Sequence, residues 1–480
     1  MEFIVQGGMD AISYNLARNG KVSPVAPYHR VVYKDDSTVW AEDPEGRTIA
    51  YGVAGEEDAA VIQSALDSLT EGRTSKETVV LRGSFVCEKG LLVPSYTKLS
   101  IEGSLKLKGG VNEPLIRNKN YQKRENADSE IEIIGGTLDG NKAEQAKSPT
   151  DIVQFVGVAS LRILNATLTE AYDRCINLSN CSDVQIANCR LNNGEIAMRI
   201  SESCDVQVAN CIISSVSGDG IVLTNAKRIT ISDTLINSVG DDGIACVGSD
   251  ILVSNCRIED AGGDGMRIAN ARSVTLNNVM LNDTDEDGIA LLTASYCVIG
   301  DCLLFSVGNK AGSSGIYADY DSAYITVQNC FIKSEYGPAI KVNDTKYFKL
   351  SQCYLRPPPD QYAVLESGMS DHNTFVGNYF LDGAGASITG TNTIIRRNRG
   401  VNALTENAGV ATFSGDGATT QFSIAHGLVS APTKVQVTPL SEDAASDFYV
   451  TADDTNIYIN YLSPPTSGIE NVKLSWSAEV

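Results

Sequence analysis

Four aspartates, Asp219, Asp242, Asp264 and Asp287, follow one another at intervals of 23, 22 and 23 residues, and Asp241 stands directly before the second. Carboxyl groups are acids and bases, and a protonated one beside an ionised one is what cleavage of a glycosidic bond requires. If the chain makes one turn per interval, the four form a column, with neighbouring strands about 4.8 Å apart. Carboxylates that close repel, so at least one is expected to hold its proton above the usual range. A structural reading competes with the chemical one. Each of the four precedes a glycine, Asp-Gly is a turn pair, and an Asp ahead of a strand caps backbone donors. A duplicated array would carry such a column with no chemistry, although the doubled Asp241-Asp242 departs from pure repetition.

The elements that would position these acids are legible from a polar ladder. One position recurs as Asn165, Asn188, Asn210, Asp233, Asn255, Asn278, Asp301, Asn329, Gln352, Asn378 and Asn398. Its 233 residues divided over ten steps give a mean period of about 23, in the range of a solenoid. Amides stacked one rung apart satisfy one another, which predicts a coil of parallel rungs in register. Cys189, Cys211, Cys256, Cys302, Cys330 and Cys353 follow the ladder residue directly, in a slot that other rungs fill with Ala166, Thr234 and Val279. That is a small core position, so buried free thiols are expected rather than disulfides. With no CxxC pair and three scattered histidines (His29, His372 and His426), no metal set of the zinc type is present.

Measured from the ladder, a short strand recurs about eleven residues on, as in Ile176-Asn-Leu, Ile221-Val-Leu and Ile289-Ala-Leu. Alternation turns its middle residue outward, giving a column of Asn177, Arg199, Val222, Ala245, Arg267, Ala290, Tyr317 and Lys341. Arg199, Arg267, Tyr317 and Lys341, together with Asp287, are therefore candidates for holding a substrate beside Asp219, Asp241, Asp242 and Asp264. Asp283-Thr-Asp285-Glu-Asp287-Gly288 copies the first half of a calcium loop, with oxygen ligands at alternating positions. Its twelfth position is Ala294 rather than Glu. Calcium is the one cofactor the sequence offers, at Asp283, Asp285 and Asp287, against a solvated acidic turn.

Residues 1–50 read as an N-terminal segment with short strands, and 51–400 as the solenoid. Glu56 to Leu69 is expected to form a helix that caps the open first rung, its apolar residues on one face and its acids at the start. A connecting stretch at 401–410 leads to a small all-β domain over 411–480. No signal peptide is visible at the N-terminus, and no apolar run of 18 residues exists to span a membrane. A net charge of −21 argues against nucleic acid and anionic membranes as general partners.

Gly218-Asp219-Gly-Ile and Gly240-Asp241-Asp242-Gly-Ile-Ala-Cys resemble the aspartate signature of polygalacturonase-type glycoside hydrolases. The resemblance implies a right-handed parallel β-helix, with Asp241 as general acid and Asp219 with Asp242 activating water. Where that family has Gly-His-Gly, this chain has Gly263-Asp264-Gly265, and the family's Arg-Ile-Lys is missing. The stretch from Ile49 to Asp67 is similar to the opening of pectate-lyase-like β-helix proteins, viral tailspikes and depolymerases among them. Phe413 to Leu428 resembles small β-domains at the ends of such virion proteins, suggesting a β-sandwich-like fold. This second resemblance implies a homotrimer on a virion or outside the cell, with a polysaccharide or cell-surface glycan as partner. The expected function is hydrolysis of that glycan. A polysaccharide lyase or epimerase acting on uronates, with Arg267 or Tyr317 as base, and a non-enzymatic adhesin or fibre are the alternatives.

Overall fold

Rungs form because inward and outward side chains alternate over short β-branched runs. In Arg174–Ser179, Ile176 and Leu178 are buried and Asn177 turns outward. The computed structural model describes residues 13–16, 22–25, 28–146, 149–400 and 404–480. Residues 1–12 and 401–403, from the expected N-terminal segment and connecting stretch, lie outside the described residues. The chain divides into two compact units, Met1–Arg257 and Ile258–Val480. Both are built from parallel rungs, and the fold class is that of an all-β parallel solenoid.

In the first unit Ile176 pairs with Met198, Met198 with Ile221 and Ile221 with Ile244, all in parallel register. In the second, Met266 pairs with Ile289, Ile289 with Ile316 and Ile316 with Ile340. The register inferred from the ladder is the observed one on this sheet. The helix spans Asp58–Asp67 and buries Ala59, Val61, Ile62, Ala65 and Leu66. It has no side-chain cap of its own. Instead Glu88 accepts the N–H groups of Ala59 and Ala60, both at 2.9 Å, and Gln63 exchanges two hydrogen bonds with Leu92. The helix is thereby laid across the first rungs.

The polar ladder has a second cause beside the one expected. Asn165, Asn188, Asn210, Asp233 and Asn255 in the first unit all hold φ between 51° and 58°. Asn278, Asp301, Asn329 and Gln352 in the second do the same. Asn and Asp tolerate this left-handed conformation better than other side chains do. Stacked bonds join several steps: Asn188 Nδ2 donates to Asn165 Oδ1 at 3.1 Å, Asn255 to Asp233 at 3.3 Å, and Asn329 to Asp301 at 3.3 Å. The last two positions also shift. Pairing of Ser351 with Val376 and of Val376 with Arg396 puts Gly377 and Arg397 at the left-handed position. Asn378 and Asn398 therefore fall in the cysteine slot, where both are buried. There Asn378 Oδ1 accepts the Cys353 N–H at 3.0 Å, and Asn378 Nδ2 donates to Asn398 Oδ1 at 3.0 Å.

All twelve cysteines are free thiols, eleven of them buried and Cys204 half-buried. Burial pushes Cys181 and Cys297 up to about 11, so these thiols are inert near neutrality. At the C-terminal end two three-stranded antiparallel sheets share one apolar core of Phe422, Ile424, Ile457, Ile459, Val472, Leu474 and Trp476. Its first strand, Glu406–Gly415, begins inside the stretch expected to be a connector. Buried His426 serves a turn, its Nδ1 accepting the Leu428 N–H at 3.0 Å. Among the described residues no helix is long and apolar enough to cross a membrane.

Candidate active site

Asp219 lies two residues before the strand that begins at Ile221, and Asp241 and Asp242 stand just before the one that begins at Ile244. The turns are tight because the rungs approach closely. A Cβ on Gly240 would meet the Ser217 carbonyl oxygen at 2.2 Å, and one on Gly220 the Gly243 oxygen at 2.5 Å. Carboxylate oxygens of Asp219, Asp241 and Asp242 lie within 4.8 Å of one another. Asp242 is buried, Asp219 half-buried and Asp241 exposed. Asp219 Oδ1 also accepts the Asp242 N–H at 3.0 Å. Asp219 thus caps the next rung and is also brought together with two further acids.

In the second unit the capping continues. Asp264 Oδ1 accepts the Asp287 N–H at 2.9 Å, and Asp287 Oδ1 accepts the Ser314 N–H at 2.5 Å. The rung after Ser314 presents Pro338, whose carbonyl receives the Gly315 N–H. Proline has no N–H to cap, so this position needs no aspartate, and the buried Ser314 hydroxyl has no partner. Burial pushes Asp287 up to about 6, with the Ser314 N–H and the Lys341 charge opposing the rise. This is the raised acid that the column predicted, but burial dominates where repulsion was expected.

Arg267, Ala290, Tyr317 and Lys341 share one register column of the second unit, where Arg267 is exposed and Tyr317 and Lys341 half-buried, but Ala290, expected to face outward, is buried. Lys341 Nζ lies 4.5 Å from the centre of the Tyr317 ring. The Tyr317 hydroxyl donates to Asp319, and burial together with that bond holds the phenol well above its ordinary range. It is a poor base at neutral pH. Asp319, which sequence reasoning missed, is buried and also accepts from Asn343 Nδ2 at 2.8 Å. Arg199 stands in the first unit, paired in register with Asn177 and Val222.

The proposed calcium ligands do not converge. Asp283 accepts from Asn309 at 2.6 Å, Asp285 faces Lys310 at 3.4 Å, and Asp287 is committed to Ser314. Among the described residues the one group with metal-binding spacing is Asp219, Asp241 and Asp242.

A second acid was also missed. Asp151 holds the register position of the aspartate column three rungs before Asp219, with Arg174 and Ile196 on the rungs between. Extending the column past Arg174 would have found it. Its buried carboxylate receives Asn177 Nδ2 at 2.7 Å, Gln154 Nε2 at 3.3 Å and Arg174 Nη1 at 3.3 Å.

Against known families, residues 151–304 match the family described as right handed beta helix region, and residues 237–402 match that of the periplasmic copper-binding protein NosD. Copper sites are built largely from imidazole and sulfur ligands, whereas the group above offers only carboxylates, so it does not fit copper. No curated protein matches the chain. Among solved structures, the tailspike protein gp49 from Pseudomonas phage LKA1 is similar at 11% identity, covering 87% of this chain and 92% of its own, with a TM-score of 0.60. The A-module of the Azotobacter vinelandii mannuronan C-5 epimerase AlgE6 is 14% identical over 72% of this chain and 96% of its own, with a TM-score of 0.54. The tailspike protein of E. coli bacteriophage HK620, as a double mutant, is 10% identical over 92% of each chain, also at 0.54. At such identities the likeness is one of fold. By sequence model, strand register and structural similarity, the chain is a right-handed parallel β-helix protein.

Proposed function

We propose that the protein is a polysaccharide-degrading glycoside hydrolase whose chemistry is performed by Asp219, Asp241 and Asp242. The observation that carries this reading is the convergence of three carboxylates within 4.8 Å on one unit, with the non-repeating Asp241 exposed to solvent. In this reading Asp241 is the general acid toward the leaving glycosidic oxygen. Asp219, more accessible than buried Asp242, attacks the anomeric carbon as the bond to that oxygen breaks. Water then displaces Asp219, giving its proton to Asp241. A separation this short favours retention of configuration, since an inverting pair needs about 6.5–9.5 Å to admit water.

The similar tailspikes support a cell-surface glycan as substrate and a homotrimer on a virion or outside the cell as the working form. The similar epimerase keeps the lyase or epimerase reading in view. It is the weaker one here, because Tyr317 is held protonated and the acids would repel an anionic sugar. In an adhesin the acids would serve only as the backbone caps seen at Asp219, Asp264 and Asp287.

The test is incubation with capsular, cell-wall and pectic glycans, reading new reducing ends and ultraviolet absorbance of unsaturated products. Reducing ends without unsaturation, lost in Asp241→Asn, are expected. Unsaturated products would establish elimination instead, and binding without turnover an adhesin.

A further inference from the structure

In the second unit one sheet opens each rung with a residue in the left-handed conformation. Arg272 is bridged to Ser295, Ser295 to Ala323, Ala323 to Lys346 and Lys346 to Asp371. The residues that follow, Ser273, Tyr296, Tyr324, Tyr347 and His372, therefore form one column, and all hold φ between 55° and 57°. A bulky side chain seldom adopts that conformation, which suits Asn, Asp and Gly. In the first unit a column at the same place in its strands holds Asp183, Asp205, Arg228 and Asp250. Three consecutive tyrosines thus carry backbone strain that the rung geometry does not demand, as residues at functional surfaces do.

The tyrosine rings face one another. Tyr296 and Tyr324 stack with centres 4.9 Å apart and planes at 10°, and Tyr324 and Tyr347 at 4.8 Å and 5°. The Arg272 guanidinium lies over the Tyr296 ring at 4.7 Å, and the His372 ring stands 5.3 Å from that of Tyr347. With the faces taken, the row offers edges and hydroxyls, which suit a protein surface better than the flat face of a sugar. The three tyrosines are between 44% and 48% exposed. A second column stands on the next sheet, where Leu303 pairs with Phe331, Phe331 with Tyr354 and Tyr354 with Tyr379. Leu303, Tyr354 and Tyr379 are between 37% and 45% exposed. Between the two columns the strand positions Val298, Thr326, Lys349 and Thr374 hold no acid.

At that exposure the two columns, with Val298 and Ile394, present roughly 700 Å² of aromatic and aliphatic surface. This exceeds the ~300–600 Å² of the largest patch on a typical monomer and approaches the ~800 Å² that each partner gives to a standard interface. We propose that this face of the second unit, from the row of Tyr296, Tyr324 and Tyr347 to the column of Leu303, Tyr354 and Tyr379, is where a second copy of the chain packs. The inference rests on the homotrimer named with the proposed function and supplies its contact face, with no part for the three carboxylates. Copies rotated about an axis along the stacking direction of the rungs meet at equal heights, so like residues approach like. Uncharged rings tolerate that approach in a chain of net charge −21, whereas a column of acids repels its own copy.

The test uses the full chain and reads solution mass by light scattering over a dilution series, with circular dichroism to confirm folding. Wild type is expected at three times 51.2 kDa. Tyr324→Asn with Tyr347→Asn places a side chain that suits the left-handed backbone, so the fold persists while the concentration for half-association rises about tenfold or more. Tyr354→Asp is expected to do the same by setting like charges opposite one another. Folded variants that keep the wild-type mass at every dilution would overturn the contact face and leave the homotrimer standing. A wild type of single-chain mass at micromolar concentration would overturn both. Unchanged mass with lost glycan binding would also overturn the proposal, since the row would then be a sugar site. Reducing ends are read on the same samples, which tells loss of contact apart from loss of the hydrolase reading.

Discussion

At the scale of single residues, the acids divide by what else they hold. Asp219 accepts the Asp242 N–H, whereas Asp241 is exposed and stands outside the repeated capping pattern. Asp219→Ala should therefore lower stability by about 1–3 kcal/mol, the cost of stranding a partly buried donor. Asp241→Ala should change it by less than about 0.5 kcal/mol. Chemical denaturation of both variants checks this, and an equal loss would mean that Asp241 supports the fold as much as the capping Asp219 does. Asp287 makes a pH prediction. Its folded value of about 6 lies above its ordinary 3.8. Between the two the folded chain binds the extra proton, so stability is full below about pH 4 and falls as pH rises through about 6. The loss is about 3 kcal/mol for a shift of this size. Asp287→Asn keeps an acceptor for Ser314 and should flatten that dependence, raising stability at pH 8 relative to wild type. Unchanged pH profiles of the unfolding midpoint would count against the burial argument.

At the scale of elements, the ladder shows what a sequence conveys and what it hides. Spacing alone gave the register of the strands at Ile176, Met198, Ile221 and Ile244, because a solenoid repeats one rung geometry and its core slots constrain residue type. It gave only one of two reasons for the amides, since a left-handed turn and a stacked amide both select Asn. It also misplaced Asn378 and Asn398 by one position, where a polar residue had entered the slot usually held by cysteine. Asn210 separates the two causes. It holds φ at 53°, so Asn210→Ala should cost about 1 kcal/mol and Asn210→Gly clearly less. If stacking mattered more, glycine would be at least as damaging as alanine. The first-unit acids were legible because they sit on the repeat. Asp319 was not, because it ends the strand Ile316–Asp319 at a register position that the preceding rungs fill with Ala269 and Leu292 rather than an acid. Nor could sequence show that Asp283, Asp285 and Asp287 turn to separate partners, since each choice depends on a contact from another rung.

At the scale of the whole molecule, composition and architecture agree. Twelve cysteines remain thiols because solenoid cores want small apolar side chains. The homotrimer proposed above predicts a solution mass of three times 51.2 kDa by light scattering. A single-chain mass at micromolar concentration would contradict it. The account's central claim is that Asp219, Asp241 and Asp242 break a glycosidic bond with water. Cleavage of a glycan identified as substrate, run in heavy-oxygen water and read by mass spectrometry, tests it most directly. One solvent oxygen should enter each new reducing end, and Asp241→Asn should abolish its appearance. Products with a double bond and no solvent oxygen, or full incorporation in Asp241→Asn, would contradict it.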